Sequence, residues 1–198
     1  MLLDASDCQL VLVDYQARLM PAIAHGDEVL DRANRLAALA TLFGVPCWGT
    51  EQVPDKLGPM PPTLRQACRQ VWAKAAFDAS DTPLQQHLCA PPRPAGNARS
   101  LPRHLQKPAA PPRHTVVLAG CEAHVCVMQT ALNLLEHDEL EVVVVTDACG
   151  SRRERDRDAA FDRLAAEGAT LVTTEMVGFE WLRSARDERF AQALAILK

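Results

Sequence analysis

No CxxC spacing occurs among the seven cysteines, at positions 8, 47, 68, 89, 121, 126 and 149. Their odd number and scattered placement argue against both a disulfide framework and a zinc ribbon. No apolar run approaches the roughly 20 residues needed to span a bilayer. No positive charge precedes Arg18, so the start of the chain lacks the charged region of a signal peptide. No GxGxxG or GxxxxGK[ST] follows an apolar run, which sets a nucleotide binder aside. A large excess of one charge sign is also lacking. A net charge of −4 gives no reason to expect nucleic acid or anionic membrane as a partner. These absences lead to the expectation of a cytoplasmic protein. Its 198 residues, 48% hydrophobic and 23% charged, are enough for one domain with a substantial core.

What is present alternates. Cys8 to Asp14 is a short apolar run ending in a carboxylate, the pattern of a strand buried on both faces. Residues 28–43 repeat apolar positions at three and four, with Asp27 as expected cap and Gly44 closing the helix. Val45 to Thr50 reads as a second strand with Pro46 at its beginning. Residues 51–68 read as a loop with one short helical turn, punctuated by four prolines. Gln70 to Lys74 is a third strand ending in a cation. Ser80 or Asp81 then caps a helix with Pro83 in its first turn. Cys89 to Arg113 holds seven of the fourteen prolines and no periodicity, so it reads as a solvated insertion rather than an active-site lid. His114 to Ala119 is the fourth strand, and a helix starts near Met128. Glu141 to Thr146 is the fifth strand. Ser151 and Glu154 have capping-box spacing ahead of a helix closed by Gly168. Residues 169–173 form the sixth strand, and helices over about 175–184 and 187–197 end the chain. The expectation is an α/β fold, a mostly parallel doubly wound sheet covered on both faces, with every strand ending on one edge.

Ligands bind at that edge, where strand order reverses. Asp14, Lys74 and Cys126 all fall at strand ends or in the turns just after them. Cys126 lies where a strand passes into a helix, and the helix dipole predicts a lowered thiol pKa there. A thiolate splits acyl hydrolysis into acylation and thioester hydrolysis. Asp14 is the expected base, and Lys74 the cation that keeps it ionised. The backbone N–H groups of Glu122 and Cys126 are the expected oxyanion donors. Cys121 and Cys149 read as packing residues. His124 is too near Cys126 in sequence to face it as a dyad and reads as a capping or supporting histidine. Glu122 and His124 have no matching ligand cluster, so no metal is expected. Residues 154–158 read as a solvated helix face.

The segments Leu12-Val13-Asp14-Tyr15-Gln16, Lys74 with Phe77, Gly120 to Cys126, and Val144 to Arg152 together resemble the isochorismatase-like cysteine hydrolases. Thr50-Glu51-Gln52-Val53-Pro54, with Leu57-Gly58, resembles the isochorismatase domain-containing hydrolases of unassigned substrate. The likeness covers nearly the whole chain outside about 90–113. It implies an Asp14–Lys74–Cys126 triad and a three-layer α/β/α sandwich with six strands, in a single domain over 1–198. It further implies a cis peptide at Cys121–Glu122, pocket positions at Tyr15, Gln16, Glu51 and Phe77, and a homo-oligomer, dimer or tetramer. Nicotinamidases of this superfamily carry a metal-binding Asp/His cluster after the second strand; here Glu51 to Lys56 holds no histidine. Ala75 stands where the family often has a polar residue.

The reading that follows is a cofactor-free, metal-independent hydrolase of a small amide-like or acyl substrate. Two alternatives stand beside it. One is vinyl-ether hydrolysis of the isochorismatase type, which would survive Cys126→Ala but not Asp14→Ala. The other is a scaffold whose pocket no longer turns over.

Overall fold

The computed structural model describes residues 2–79, 82–89 and 112–198. The expected cap at Ser80 or Asp81 and most of the Pro-rich insertion lie outside them. Six strands form one sheet in the order β3-β2-β1-β4-β5-β6, and every pairing is parallel. They are β1 (Cys8–Val13), β2 (Cys47–Gln52), β3 (Gln70–Lys74), β4 (Thr115–Gly120), β5 (Glu141–Val145) and β6 (Thr170–Val172). β1 and β4 lie side by side at the centre, and each of their residues is buried. Both are continuous apolar runs because a central parallel strand meets packing on both faces.

The helices are α1 (Gly26–Phe43), α2 (Pro54–Leu57), α3 (Pro62–Ala67), α4 (Leu84–Leu88), α5 (Met128–Leu135), α6 (Glu154–Ala166), α7 (Thr174–Leu182) and α8 (Phe190–Leu197). The chain leaves β1 toward β2 in one direction and leaves β4 toward β5 in the other. Right-handed crossovers therefore put α1 and α5 on opposite faces. α1 packs against α3, α7 and α8, while α5 packs against β5 and α6. The boundary between β1 and β4 is the point where strand order reverses, and the ends of both strands open there.

Four local expectations are corrected. Asp27 lies inside the first turn of α1, whose cap is His25 in the left-handed region with φ 53°. Gly44, at φ 69°, does close that helix, a conformation that costs a residue without Cβ little. β2 runs two residues later than its apolar stretch suggests, because Glu51 and Gln52 pair with Ala73 and Lys74 and find polar partners inside the fold. The loop over 51–68 contains two short helices, each opened by a proline at its first residue, where the missing N–H costs nothing. The Ser151–Glu154 capping box does not form. α6 is preceded by Arg153 without a side-chain cap, and Ser151 is buried elsewhere.

Candidate active site

Asp14 follows the last residue of β1 in the left-handed backbone region, at φ 54°. Asp tolerates this better than most residues because its short carboxylate bonds locally. The turn is fixed from both sides: Asp14 N–H donates to Thr50 O at 3.1 Å, and Asp14 O accepts from Gln16 N–H at 2.8 Å. One carboxylate oxygen, Oδ1, accepts the Thr50 hydroxyl at 2.8 Å. The other, Oδ2, lies 2.7 Å from Lys74 Nζ, and both side chains are fully buried. The Lys74 ammonium has three protons to donate. Around Nζ stand Asp14 Oδ2 and three further acceptors, Gln52 Oε1 at 2.6 Å, Phe77 O at 2.9 Å and Ala76 O at 3.2 Å. Asp14 Oδ2 is held by the ion pair, with no well-aligned hydrogen bond beside it.

Gln52, the last residue of β2, sets this arrangement. Its Oε1 takes the Lys74 proton and its Nε2 donates to Ala75 O at 2.6 Å. Thr50 and Gln52 alternate along β2 and both point toward the ion pair. Sequence reasoning missed both. The available signal was their position at the end of the strand between those that carry Asp14 and Lys74.

Cys126 enters from the other side of the boundary. After β4 the chain makes a wide π-helical turn, Ala123–Val127, before α5 begins. The peptide Cys121–Glu122 is cis, as the resemblance implies. The turn is stitched to its neighbours through backbone: Cys121 N–H to Val13 O at 3.0 Å, Ala123 N–H to Gly150 O at 2.8 Å, and Gly150 N–H to Gly120 O at 3.2 Å. The segment after β5 adds side chains. Ser151 Oγ meets His124 Nδ1 at 2.9 Å, and the Arg152 backbone N–H and Nε donate to Glu122 Oε2 at 3.0 and 2.9 Å. His124 is thus occupied by Ser151, in the supporting role read from the sequence.

The Asp14 and Lys74 charges both act on the Cys126 thiol. Its pKa does not fall, contrary to the expectation from the helix start. Burial, with the Asp14 carboxylate second, pushes the thiol up to about 12, and Lys74 only partly offsets them. The helix-dipole argument assumes a regular, solvent-facing first turn, whereas here the sulfur is enclosed and shares its space with a carboxylate. Cys126 in the free protein is a protonated thiol beside a proton acceptor. Cys121 and Cys149 are buried too; burial raises the first well above the ordinary thiol range and the second to about 12.

Residues 8–176, from the start of β1 into α7, match the Isochorismatase domain. The chain belongs to the isochorismatase family. The mouse isochorismatase domain-containing protein 2A is 36% identical over 190 residues, covering 96% of this chain and 82% of that protein. Among solved structures, the MAR1 ribonuclease of Caenorhabditis elegans superposes with a TM-score of 0.83 at 27% identity, covering all of this chain and 92% of the other. The YcaC gene product of Escherichia coli, described as an octameric hydrolase of unknown specificity, superposes with a TM-score of 0.80 at 26% identity. That match covers 100% of this chain and 89% of YcaC.

The remaining positions read from the isochorismatase resemblance divide into frame and rim. Tyr15 is completely buried and donates its hydroxyl to Ala148 O. Gln16 is completely buried; it accepts from Gln52 N–H and donates to Gln52 O and Gly58 O. Glu51 is buried and accepts from Met60 N–H at 2.8 Å and Arg65 at 2.6 Å. These three brace the loops beneath the ion pair. Phe77 is 53% exposed, and its carbonyl holds Lys74, which places its ring at the surface beside the site. Among the described residues, no group of three or more His, Cys, Asp or Glu is placed to hold a metal ion. None of the described helices is long and apolar enough to cross a membrane.

Proposed function

We propose that this isochorismatase-family hydrolase cleaves a small amide-like or acyl substrate, without a metal, through a thioester on Cys126. The observation that carries the reading is the fully buried Asp14–Lys74 ion pair, 2.7 Å from Oδ2 to Nζ, whose two charges both act on the Cys126 thiol. A thiol held near pKa 12 attacks only if its proton leaves as the carbon–sulfur bond forms. Asp14 takes that proton onto Oδ2. Lys74 supplies the opposite charge beside it. The carbonyl oxygen collects charge and is received by the N–H groups of Glu122 and Cys126, whose turn is pinned by β1 and by the segment after β5. Asp14 returns the proton to the leaving nitrogen or oxygen, then activates the water that hydrolyses the thioester. A single carboxylate serves as acid and base in succession. The metal-independent reading also rests on the polar side chains at the end of β2, since Glu51 is committed to Arg65 and Met60 and Gln52 to Lys74.

The name of the worm neighbour carries another substrate class. A chain of net charge −4 has no overall attraction for RNA, so the screen below includes RNA only as a contrast. The octameric neighbour supports a homo-oligomer here as well. The test is a panel of small amides, esters and vinyl ethers, with an RNA oligonucleotide as contrast and acid-quenched protein analysed by mass spectrometry. An acyl adduct on Cys126, absent in Cys126→Ala together with all turnover, is the expected result. Turnover that survives Cys126→Ala but not Asp14→Ala would replace thioester chemistry with ether hydrolysis. No turnover of any member, with no adduct, would favour a scaffold.

A further inference from the structure

On the α3 side of β2, far along the strand from Gln52, two more thiols meet. Cys47 is the first residue of β2 and is buried; Cys68 follows α3 as its cap and is half-buried. Their sulfurs are 3.6 Å apart. The backbone fixes the approach, because Arg69 N–H donates to Cys47 O at 2.8 Å just before β3 begins pairing with β2. Gly49, two residues along the same face of β2, leaves the space that Cys68 uses. A Cβ there would stand 3.1 Å from Cys68 Sγ. A disulfide needs about 2.05 Å between sulfurs, a closure of side chains rather than of strands.

We propose that Cys47 and Cys68 are a redox modification site, converted by a small-molecule disulfide of the glutathione type into an intrachain disulfide within the folded protein. Cys68, the partly exposed thiol, attacks the disulfide as its thiolate. A Cys68–glutathione bond forms, and one glutathione thiolate leaves. Cys47 then attacks the Cys68 sulfur, forming the Cys47–Cys68 bond and expelling the second glutathione, and the Cys47 proton ends on a departing thiolate. Two protein thiols are oxidised and one glutathione disulfide is reduced to two thiols. The hydrogen bond to Cys68, then burial, holds Cys47 well above the ordinary thiol range, so it acts second, once its partner is activated. The site is separate from Cys126 and does not depend on the catalytic reading.

The full chain is incubated with glutathione disulfide under native conditions, then with remaining thiols blocked, digested with trypsin and mapped by mass spectrometry. The expected product joins the peptide of residues 36–56 to that of residues 66–69, two hydrogens lighter than their sum, and reverts on reduction. Cys68→Ser should abolish it. Gly49→Ala should slow it, because the added methyl crowds the Cys68 sulfur. Cys68 accumulating only as the glutathione adduct, linkage appearing only in denaturant, or modification confined to the exposed Cys89 would each overturn the proposal.

Discussion

On the β1–β2–β3 side of the boundary, Asp14 and Lys74 are held by side chains and loose carbonyls, namely Thr50, Gln52, Ala76 and Phe77. On the β4–β5 side, the turn that carries Cys126 is held by backbone, through Val13, Gly150 and Gly120, with Ser151 and Arg152 outside it. The difference follows from what each side must hold. Two buried charges survive only if each has a partner, since an uncompensated charge in the interior costs far more than a neutral group. A turn that presents N–H groups needs only its backbone fixed, and neighbouring strands supply that. The first arrangement should fail when one side chain is lost, the second when a strand is pushed away.

Lys74→Ala tests the first statement and should show the largest effect. It leaves Asp14 unpaired in a fully buried site, and urea unfolding should report a loss of about 3–5 kcal/mol at neutral pH. A loss below about 1 kcal/mol would mean that the pair contributes little. Gly120→Ala tests the second. Its Cβ would stand 2.3 Å from Val13 O and 2.6 Å from Val13 Cβ, forcing β1 and β4 apart. Overpacking of this kind costs about 1–3 kcal/mol, and the same urea titration measures it. Arg152→Gln should be milder. Its side chain is 63% exposed, and an ion pair of that exposure contributes less than about 1 kcal/mol. If it costs as much as Gly120→Ala, the β4–β5 side is held by side chains after all.

The effect that is smallest at neutral pH is one of pH itself. The Cys126 and Cys149 thiols titrate at about 12 in the fold against an ordinary 9.0. Between those values the unfolded chain has released protons that the folded one keeps, so ν for the unfolded state is lower and stability falls as pH rises. The contribution is complete below pH 9 and is lost progressively toward 12. Thermal unfolding followed from neutral pH upward should be flat with respect to these thiols until about pH 9, then decline. Iodoacetamide labelling sharpens the point, because Cys126 should label more slowly than exposed Cys89 near neutrality.

Much of this site was legible in the sequence. Asp14, Lys74 and Cys126 each fall at the end of a strand-like run or in the turn after it, and a parallel sheet brings all such ends to one edge. What was not legible depends on partners distant in sequence. The last two residues of β2 are polar and look like loop until Arg65, Met60 and Lys74 are seen to satisfy them. Ser151 has the spacing of a helix cap, but His124 engages it first. The proton affinity of Cys126 was misjudged for the same reason. A local rule about helix starts was outweighed by burial and by a carboxylate 112 positions earlier in the chain.

The crowded ammonium of Lys74 limits the choreography of the site. With Gln52, Ala76, Phe77 and the Asp14 carboxylate all around its three protons, it is poorly placed to hand one to a departing group. Under the proposed reading one hydrogen nucleus shuttles between sulfur, carboxylate and leaving atom. Rates in heavy water should then slow for every substrate, because the thiol proton moves during attack whatever group departs, and slow most where the departing atom must also be protonated.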